Sequence, residues 1–354
     1  MRTKMIWLMF FCFLIILSAC TQGTSEGMNE EADSGTAGQE NQQHATGEGS
    51  AGQGEASLKY RLAHTYPEGD IITAGIDQWS EMVAEETNGE LQITVFPAGQ
   101  LGGEREIMEA LQVGTLEMAV TAFTGKDLFD SFFLPFMFQD TEHMWNVLRG
   151  PIGEDFNQRY LDDTGIRVLG YAYRSPRLLT ANKEIKSPED VQGMKIRVPE
   201  MAPYIATWEA LGADPTPMAF PEVFSGLQQG VIDGQENPVE LIRSSSFHEV
   251  QDYLILTEHV RAFFQAFINE GFWETLPEDI QQVVTDTWDV VADDIQAEAE
   301  AMQEESIKWL EEQGMTVIEV NQEEWKEATK DVWKDFTPEA WGEGMYEKVQ
   351  AEAE

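Results

Sequence analysis

From Leu58 onward the apolar residues recur with two alternating periods, one of two residues and one of three to four, and the changes of period fall at glycines and prolines. Leu58 to His64, the set Leu91, Ile93 and Val95 before Pro97, Leu116 to Thr121, Ile166 to Tyr173, and Met194 to Val198 before Pro199 are predicted strands. Between them, Ile76, Trp79, Met82 and Val83 mark a helix that Asn88-Gly89 closes, and Glu104 to Val113 marks a second, stopped by Gly114. Ser187-Pro188-Glu189-Asp190 has a capping serine, a first-turn proline and early acids, and is predicted to open a helix. Helices are also predicted over Ala202 to Leu211 and Pro221 to Gln229, with a short strand through Met218 between them. From Pro277 to about Gln313 no proline or glycine interrupts a helical pattern that is long for a globular protein, as a helix crossing between two lobes would be. Asn321 with Glu324, and Thr337-Pro338, open two terminal helices whose core faces are Trp325, Trp333 and Phe336. Such alternation of strand and helix defines an α/β protein.

The first residues depart from this pattern. Arg2 and Lys4 precede an apolar run from Met5 to Leu17 and then Leu17-Ser18-Ala19-Cys20, the order of a secretory signal, too short for a comfortable membrane span. The last four residues resemble a bacterial lipobox, which implies cleavage before Cys20 and a lipid on its sulfur. Cys12 leaves with the signal, so no disulfide or thiol chemistry is expected of the mature chain. From Thr21 to about Ala56 there is no aromatic residue and no Val, Ile or Leu, and the segment reads as a tether of about 30–35 Å root-mean-square span. Its Gly47-Glu48-Gly49-Ser50-Ala51-Gly52 spells a dinucleotide fingerprint, but no strand precedes it and no helix follows.

Charge narrows the function. A formal net charge of −42 argues against nucleic acid and against adhesion to anionic lipid. The histidines have no metal-ligand spacing, His248-Glu249-Val250-Gln251-Asp252 lacks the second histidine of a zinc-protease motif, and neither a nucleophile elbow nor a phosphate loop occurs. No cofactor, metal or catalytic residue is assigned, and an enzyme is the weaker class. In so acidic a chain a retained arginine needs a reason. Arg197 lies in the alternating run Met194 to Val198, and its guanidinium can meet a carboxylate through two parallel hydrogen bonds, which a lysine cannot do. On pattern alone an internal ion pair explains Arg197 equally well, Asn237 before Pro238 reads as a turn residue, and Phe220 reads as core.

Three blocks carry a resemblance: Gly193-Met194-Lys195-Ile196-Arg197-Val198-Pro199, Pro215-Thr216-Pro217-Met218-Ala219-Phe220-Pro221-Glu222-Val223, and Gly230-Val231-Ile232-Asp233-Gly234-Gln235-Glu236-Asn237-Pro238. With Gln100-Leu101-Gly102, Leu134-Pro135-Phe136 and Thr257-Glu258-His259 they resemble the DctP-type solute-binding proteins of tripartite ATP-independent periplasmic (TRAP) transporters, from about Leu58 to the C-terminus. The resemblance implies a two-lobed α/β fold of the periplasmic-binding-protein kind, with a ligand cleft between the lobes. It places residues 57–174 and about 263–302 in the first lobe, and 175–262 and about 303–354 in the second. It further implies an extracytoplasmic receptor, anchored outside the membrane through Cys20, that captures an organic acid and delivers it to integral-membrane permease subunits. A binding protein of an ATP-driven importer, a sensor, or a surface hydrolase are the competing readings.

In that family the position of Arg197 pairs with the ligand carboxylate, that of Asn237 hydrogen-bonds it, that of Phe220 packs on the ligand body, and that of Arg177 supplies a second arginine, although Arg174 lies three residues away. His64 after the first strand and Glu104 at a helix start are further candidates. Glu200 is an acceptor suited to hydroxyls and hostile to a second carboxylate if it points inward. Ala122 and Gly125 stand where sialic-acid binders carry an acid and an arginine, which argues against sialic acid. A uronate or other sugar acid is favoured over a C4-dicarboxylate.

Overall fold

The computed structural model describes residues 58–353, so the expected signal, the expected lipidation at Cys20 and the expected tether lie outside the described residues. Among the described residues eleven strands form two sheets. The first has the order β2-β1-β3-β10-β4, with β1 Leu58–Ala63, β2 Leu91–Phe96, β3 Met118–Thr121, β4 Ile166–Arg174 and β10 Ala262–Asn269. The second has the order β11-β9-β5-β8-β6-β7, with β5 Arg177–Ala181, β6 Lys195–Val198, β7 Asp214–Pro217, β8 Gly234–Pro238, β9 Tyr253–Leu256 and β11 Thr316–Glu319. The chain passes from one sheet to the other at Ser175-Pro176 between β4 and β5, and returns through residues 257–261 between β9 and β10. Of the crossing strands, β4, β5 and β10 run antiparallel to their neighbours, and β9 runs antiparallel to β5 but parallel to β11, while β1 to β3 and β6 to β8 follow the parallel pairing that strand-helix-strand units enforce.

The long helix spans Glu278–Glu312. Val284, Trp288, Val291 and Ile295 belong to the larger core, which takes in residues of both sheets such as Leu62 and Ile196, and Leu310 belongs to a separate, smaller core with Leu178, Val223 and Phe247. Trp288 packs edge-on against Trp79, 4.8 Å between centroids. Gly75 lets the helix Ile71–Glu86 lie close to it, because a Cβ there would sit 2.5 Å from the Ile295 Cδ1.

Two expectations need correction. The sequence Gly234 to Pro238 is not a turn but strand β8, hydrogen-bonded on both sides by β5 and β6. Pro238 is tolerated because it ends the strand, and Gly234 is required because a Cβ would lie 2.5 Å from the Thr180 carbonyl oxygen. The Ser187 cap is real, with Asp190 completing a capping box, yet it opens a single 3-10 turn, Pro188–Val191, since Gly193 follows at φ +69°. The C-terminal segment hydrogen-bonds to residues 128–143. Trp341 Nε1 donates to Leu128 O at 2.7 Å, Gln350 Nε2 to Met137 O at 2.8 Å, and His143 Nε2 lies 2.6 Å from Val349 O.

Candidate functional site

A cavity of about 540 Å³, mouth included, opens between the two sheets. First-lobe residues Tyr66, Glu104, Phe123 and Phe133 face Arg197, Tyr204, Phe220 and Asn237 of the second. Pairing of the parallel strands β6 and β8 brings Arg197 opposite Gln235, and the two-residue period of a strand then puts Asn237 on the same face as Arg197. Strand register thus closes the gap of 40 positions (237 − 197 = 40) between guanidinium and amide.

Arg197 is 2% exposed, and its Nε and Nη2 both donate to Met218 O, at 2.9 and 2.7 Å. This single carbonyl aims the head into the cavity, 5.8 Å from the Phe220 ring centroid. Burial lowers its pKa to about 10 against the pull of Glu104, and Arg177 adds to the lowering, so it stays cationic at neutral pH. Arg197 has no ion-pair partner among the described residues.

The other two cavity arginines are already neutralised. Arg177, opposite Pro238, shares its face with Glu236 and forms a bidentate pair with that carboxylate, Nη2 to Oε1 at 2.8 Å; the same nitrogen donates to Asn237 Oδ1 at 3.1 Å. Burial alone would raise the Glu236 pKa, but Arg177 and His259, whose Nε2 is 3.2 Å away, outweigh it and hold the carboxyl below its ordinary range. Arg174 pairs with Asp70 at 2.8 Å, and Asp70 also accepts from Ser244 of the second lobe at 2.9 Å.

Glu104 lines the cavity with only the Thr121 hydroxyl, 3.3 Å away, as hydrogen-bond partner. Burial raises its pKa, with Arg197 and Thr121 opposing. The cavity therefore holds one unpaired cation, Arg197, and one unpaired carboxylate, Glu104, among its charged lining residues. Glu200 does not point inward. It lies across the mouth, its Oε2 3.8 Å from Arg105 Nε of the first lobe, because it follows Pro199 where the backbone leaves β6. His64 is not in the lining either. It is wholly buried against Tyr66, ring centroids 5.7 Å apart, with neither nitrogen hydrogen-bonded to a described residue. Burial first, and the nearby Arg174 second, lower its pKa to about 4.

The His64 shift has a measurable consequence. Its folded pKa lies below the unfolded value near 6.5, so the unfolded chain binds the extra proton first, and this contribution to stability is lost as pH falls from 6.5 to 4. Over that window His64→Leu is expected to lose about 3 kcal/mol less stability than the wild type. Denaturant melts at pH 7, 5.5 and 4 check this, and parallel curves for the two proteins would contradict it.

The chain matches the family model described as bacterial extracellular solute-binding protein, family 7 (DctP), over residues 62–339. It belongs to this family. A solute-binding protein of Roseobacter denitrificans is 37% identical over 286 residues, covering 77% of this chain and 85% of that one. The crystal structure of a TRAP periplasmic solute-binding protein from the same organism, with bound L-galactonate, matches with a TM-score of 0.78 and 34% identity over 85% of this chain and 100% of that one. Another, from Polaromonas and bound to D-erythronate, matches with a TM-score of 0.79 and 30% identity over 83% and 98% of the two chains. For this DctP-family protein the cavity brings together Arg197, Asn237, Phe220, Arg177 and Glu104, and leaves out His64 and Glu200. Sequence reasoning missed Tyr66, Phe123, Tyr204 and Phe263 as lining, because aromatic residues at strand ends and helical positions carry the same signal as core.

Proposed function

We propose that this protein is the extracytoplasmic receptor of a TRAP transporter and captures a hydroxylated monocarboxylate, a sugar acid, between its lobes. The observation that carries the reading is the contrast among three cavity arginines: Arg174 and Arg177 are paired with Asp70 and Glu236, and Arg197 is left with a carbonyl. An incoming carboxylate takes the free fork of Arg197, and each charge-assisted hydrogen bond contributes about 1.5–3 kcal/mol. Asn237 sits beside it with its carbonyl oxygen fixed by Arg177 and one amide hydrogen donated to Gln235 Oε1 at 2.5 Å, which leaves the second amide hydrogen for the same carboxylate. Phe220 covers the ligand body. Glu104 accepts from hydroxyl groups and repels a second carboxylate, the part that the sequence reading gave to Glu200. The relatives with bound L-galactonate and D-erythronate, both hydroxylated monocarboxylates, support this class.

Capture is local in character. A body of such negative charge repels anions at long range, screening limits that repulsion to about 8 Å at physiological salt, and the buried Arg197 supplies the attraction inside. We place the first lobe at residues 57–174 with about 263–302 and the C-terminal segment from 337, and the second at 175–262 with about 303–336. Ligand binding favours the closed arrangement, and the closed arrangement is what the permease subunits recognise. Anchorage through a lipid on Cys20 holds the receptor at the outer face of the membrane.

A thermal-shift screen against L-galactonate, D-erythronate, D-galacturonate, succinate and sialic acid tests the class. Stabilisation is expected from the hydroxylated monocarboxylates, and stabilisation by succinate alone would overturn it. Glu104→Gln is expected to raise succinate affinity relative to L-galactonate on the order of 10–100-fold, since the acid whose ionised form repels a second carboxylate is removed. Isothermal titration of both acids against both proteins measures the ratio.

A further inference from the structure

The physical feature that singles out Arg197 occurs once more. Every other described arginine outside the cleft reaches a carboxylate, as Arg61 reaches Glu117 and Arg167 reaches Glu270, except Arg261. In a chain with 64 acidic and 22 basic residues an arginine without an acid beside it is set apart by the fold, not by scarcity of partners. Arg261 ends the crossing between β9 and β10, where its Nε donates to Gln139 O at 3.2 Å and the rest of the guanidinium remains free. It faces a second cavity, of about 960 Å³ with its mouth, larger than the cleft cavity and sharing no lining residue with it.

The walls of this cavity come from four separate segments. Phe136 to Gln139 belong to the first lobe, Glu258 and Arg261 to the crossing, Lys326 to the helix Gln322–Thr329, and Tyr346 and Gln350 to the C-terminal helix. Trp325 of the helix Gln322–Thr329 packs edge-on against Trp208 of the second lobe, whereas Gln350 is tied to Met137 of the first, so the space lies where the two lobes meet. Lys326, like Arg261, has no acid partner among the described residues, although Glu258 and Glu323 line the same cavity. Two of the wall residues, Phe136 at φ +51° and Glu258 at φ +45°, hold left-handed backbone that neither side chain favours. They are fastened together by the Phe136 N–H, which donates to His259 O at 2.8 Å. The fold thus holds unfavourable backbone at this spot while keeping two cations and two acids apart from one another.

We propose that this hinge-side cavity is a second anion site, which takes the oxyanion group of a small solute between Arg261 and Lys326. Glu258, Glu323 and the amides of Gln139, Gln322 and Gln350 receive or donate hydrogen bonds to its polar body, and Phe136 and Tyr346 cover it. The guanidinium provides the fork and the exposed lysine a mobile second charge. The proposal is independent of the cleft ligand.

Its test therefore uses the purified chain with Arg197→Ala, which silences the cleft, titrated calorimetrically with inorganic phosphate and with succinate at constant ionic strength. Saturable one-to-one binding of at least one probe is expected. Arg261→Gln in that background is expected to weaken it at least tenfold, and Lys326→Gln, a change at an exposed side chain, to weaken it severalfold even if the first variant folds poorly. Trp333 stacks on Tyr346 with ring centroids 3.9 Å apart, so its fluorescence should change on titration, and Trp333→Phe should remove that change. Absence of saturable binding by both probes, or binding that both substitutions leave intact, would overturn the site.

Discussion

Arg197→Ala is expected to abolish ligand-induced thermal stabilisation while leaving the melting temperature of the free protein close to that of the wild type. The two effects separate because Arg197 makes no ion pair; truncating it removes two hydrogen bonds to one carbonyl, and Glu104, whose charged form it favours, keeps the Thr121 hydroxyl and can take up a proton. Binding loses a desolvated charge partner, a change of about 2–5 kcal/mol, or roughly 30- to 5,000-fold in Kd. Arg197→Lys keeps the charge and loses the fork, and its affinity is expected to stay nearer to that of the alanine variant than to that of the wild type. Calorimetric titration of the three proteins with the acid that stabilises the wild type most decides the matter. Wild-type affinity in both variants would refute the role given to this residue.

Arg177, twenty positions earlier (197 − 177 = 20), is expected to behave in the opposite way. Its guanidinium is paired with Glu236, which is fully buried, so Arg177→Met leaves a carboxylate in the interior whose one remaining side-chain hydrogen-bond partner among the described residues is His259, Nε2 3.2 Å away. Loss of one partner from a buried pair costs about 3–5 kcal/mol, which lowers the melting temperature by roughly 5–8 °C for about 300 folded residues. The double variant Arg177→Met with Glu236→Leu is expected to regain most of that stability, because the stranded charge is gone. It should not regain ligand affinity, since the amide of Asn237 is no longer held by Arg177. Differential scanning calorimetry of both variants checks the first part and titration the second. A single variant as stable as the wild type would show that the pair does not organise this site.

Particular elements show how far the sequence reading reached. The helix Glu278–Glu312 was legible within a residue or two at either end, because an uninterrupted 3.6-residue pattern bounded by Pro277 and Gly314 leaves no competing structure. The strands β1, β2, β4 and β6 were legible for the corresponding reason, an apolar run with a stop at its end. β5, β9, β10 and β11 were not assigned. In β5 every residue is buried, and in β10 all but the last are, so no polar face is left to produce a period of two. Residues 151–164 form a helix behind Gly150-Pro151 that the sequence reading left unassigned.

Among the candidate site residues, the types and positions of Arg197, Asn237, Phe220 and Glu104 could be named from the chain, and the polar chemistry of a carboxylate binder with them. Which arginine is free could not. Arg174, Arg177, Arg197 and Arg261 are the same residue in sequence, and each has acids nearby along the chain or at a distance. A guanidinium is spent or available according to whether a carboxylate lies within a few ångströms, and that distance is set by strand register and by two passages between lobes, not by neighbours in sequence. Local pattern, which depends on side chains a few positions apart, determined the elements, the family and the residue types of the site. Charge pairing depends on contacts between distant segments, and the tertiary structure alone decided that Arg177 is held by Glu236, that Glu200 bridges the mouth to Arg105, and that Arg197 and Arg261 each face open space.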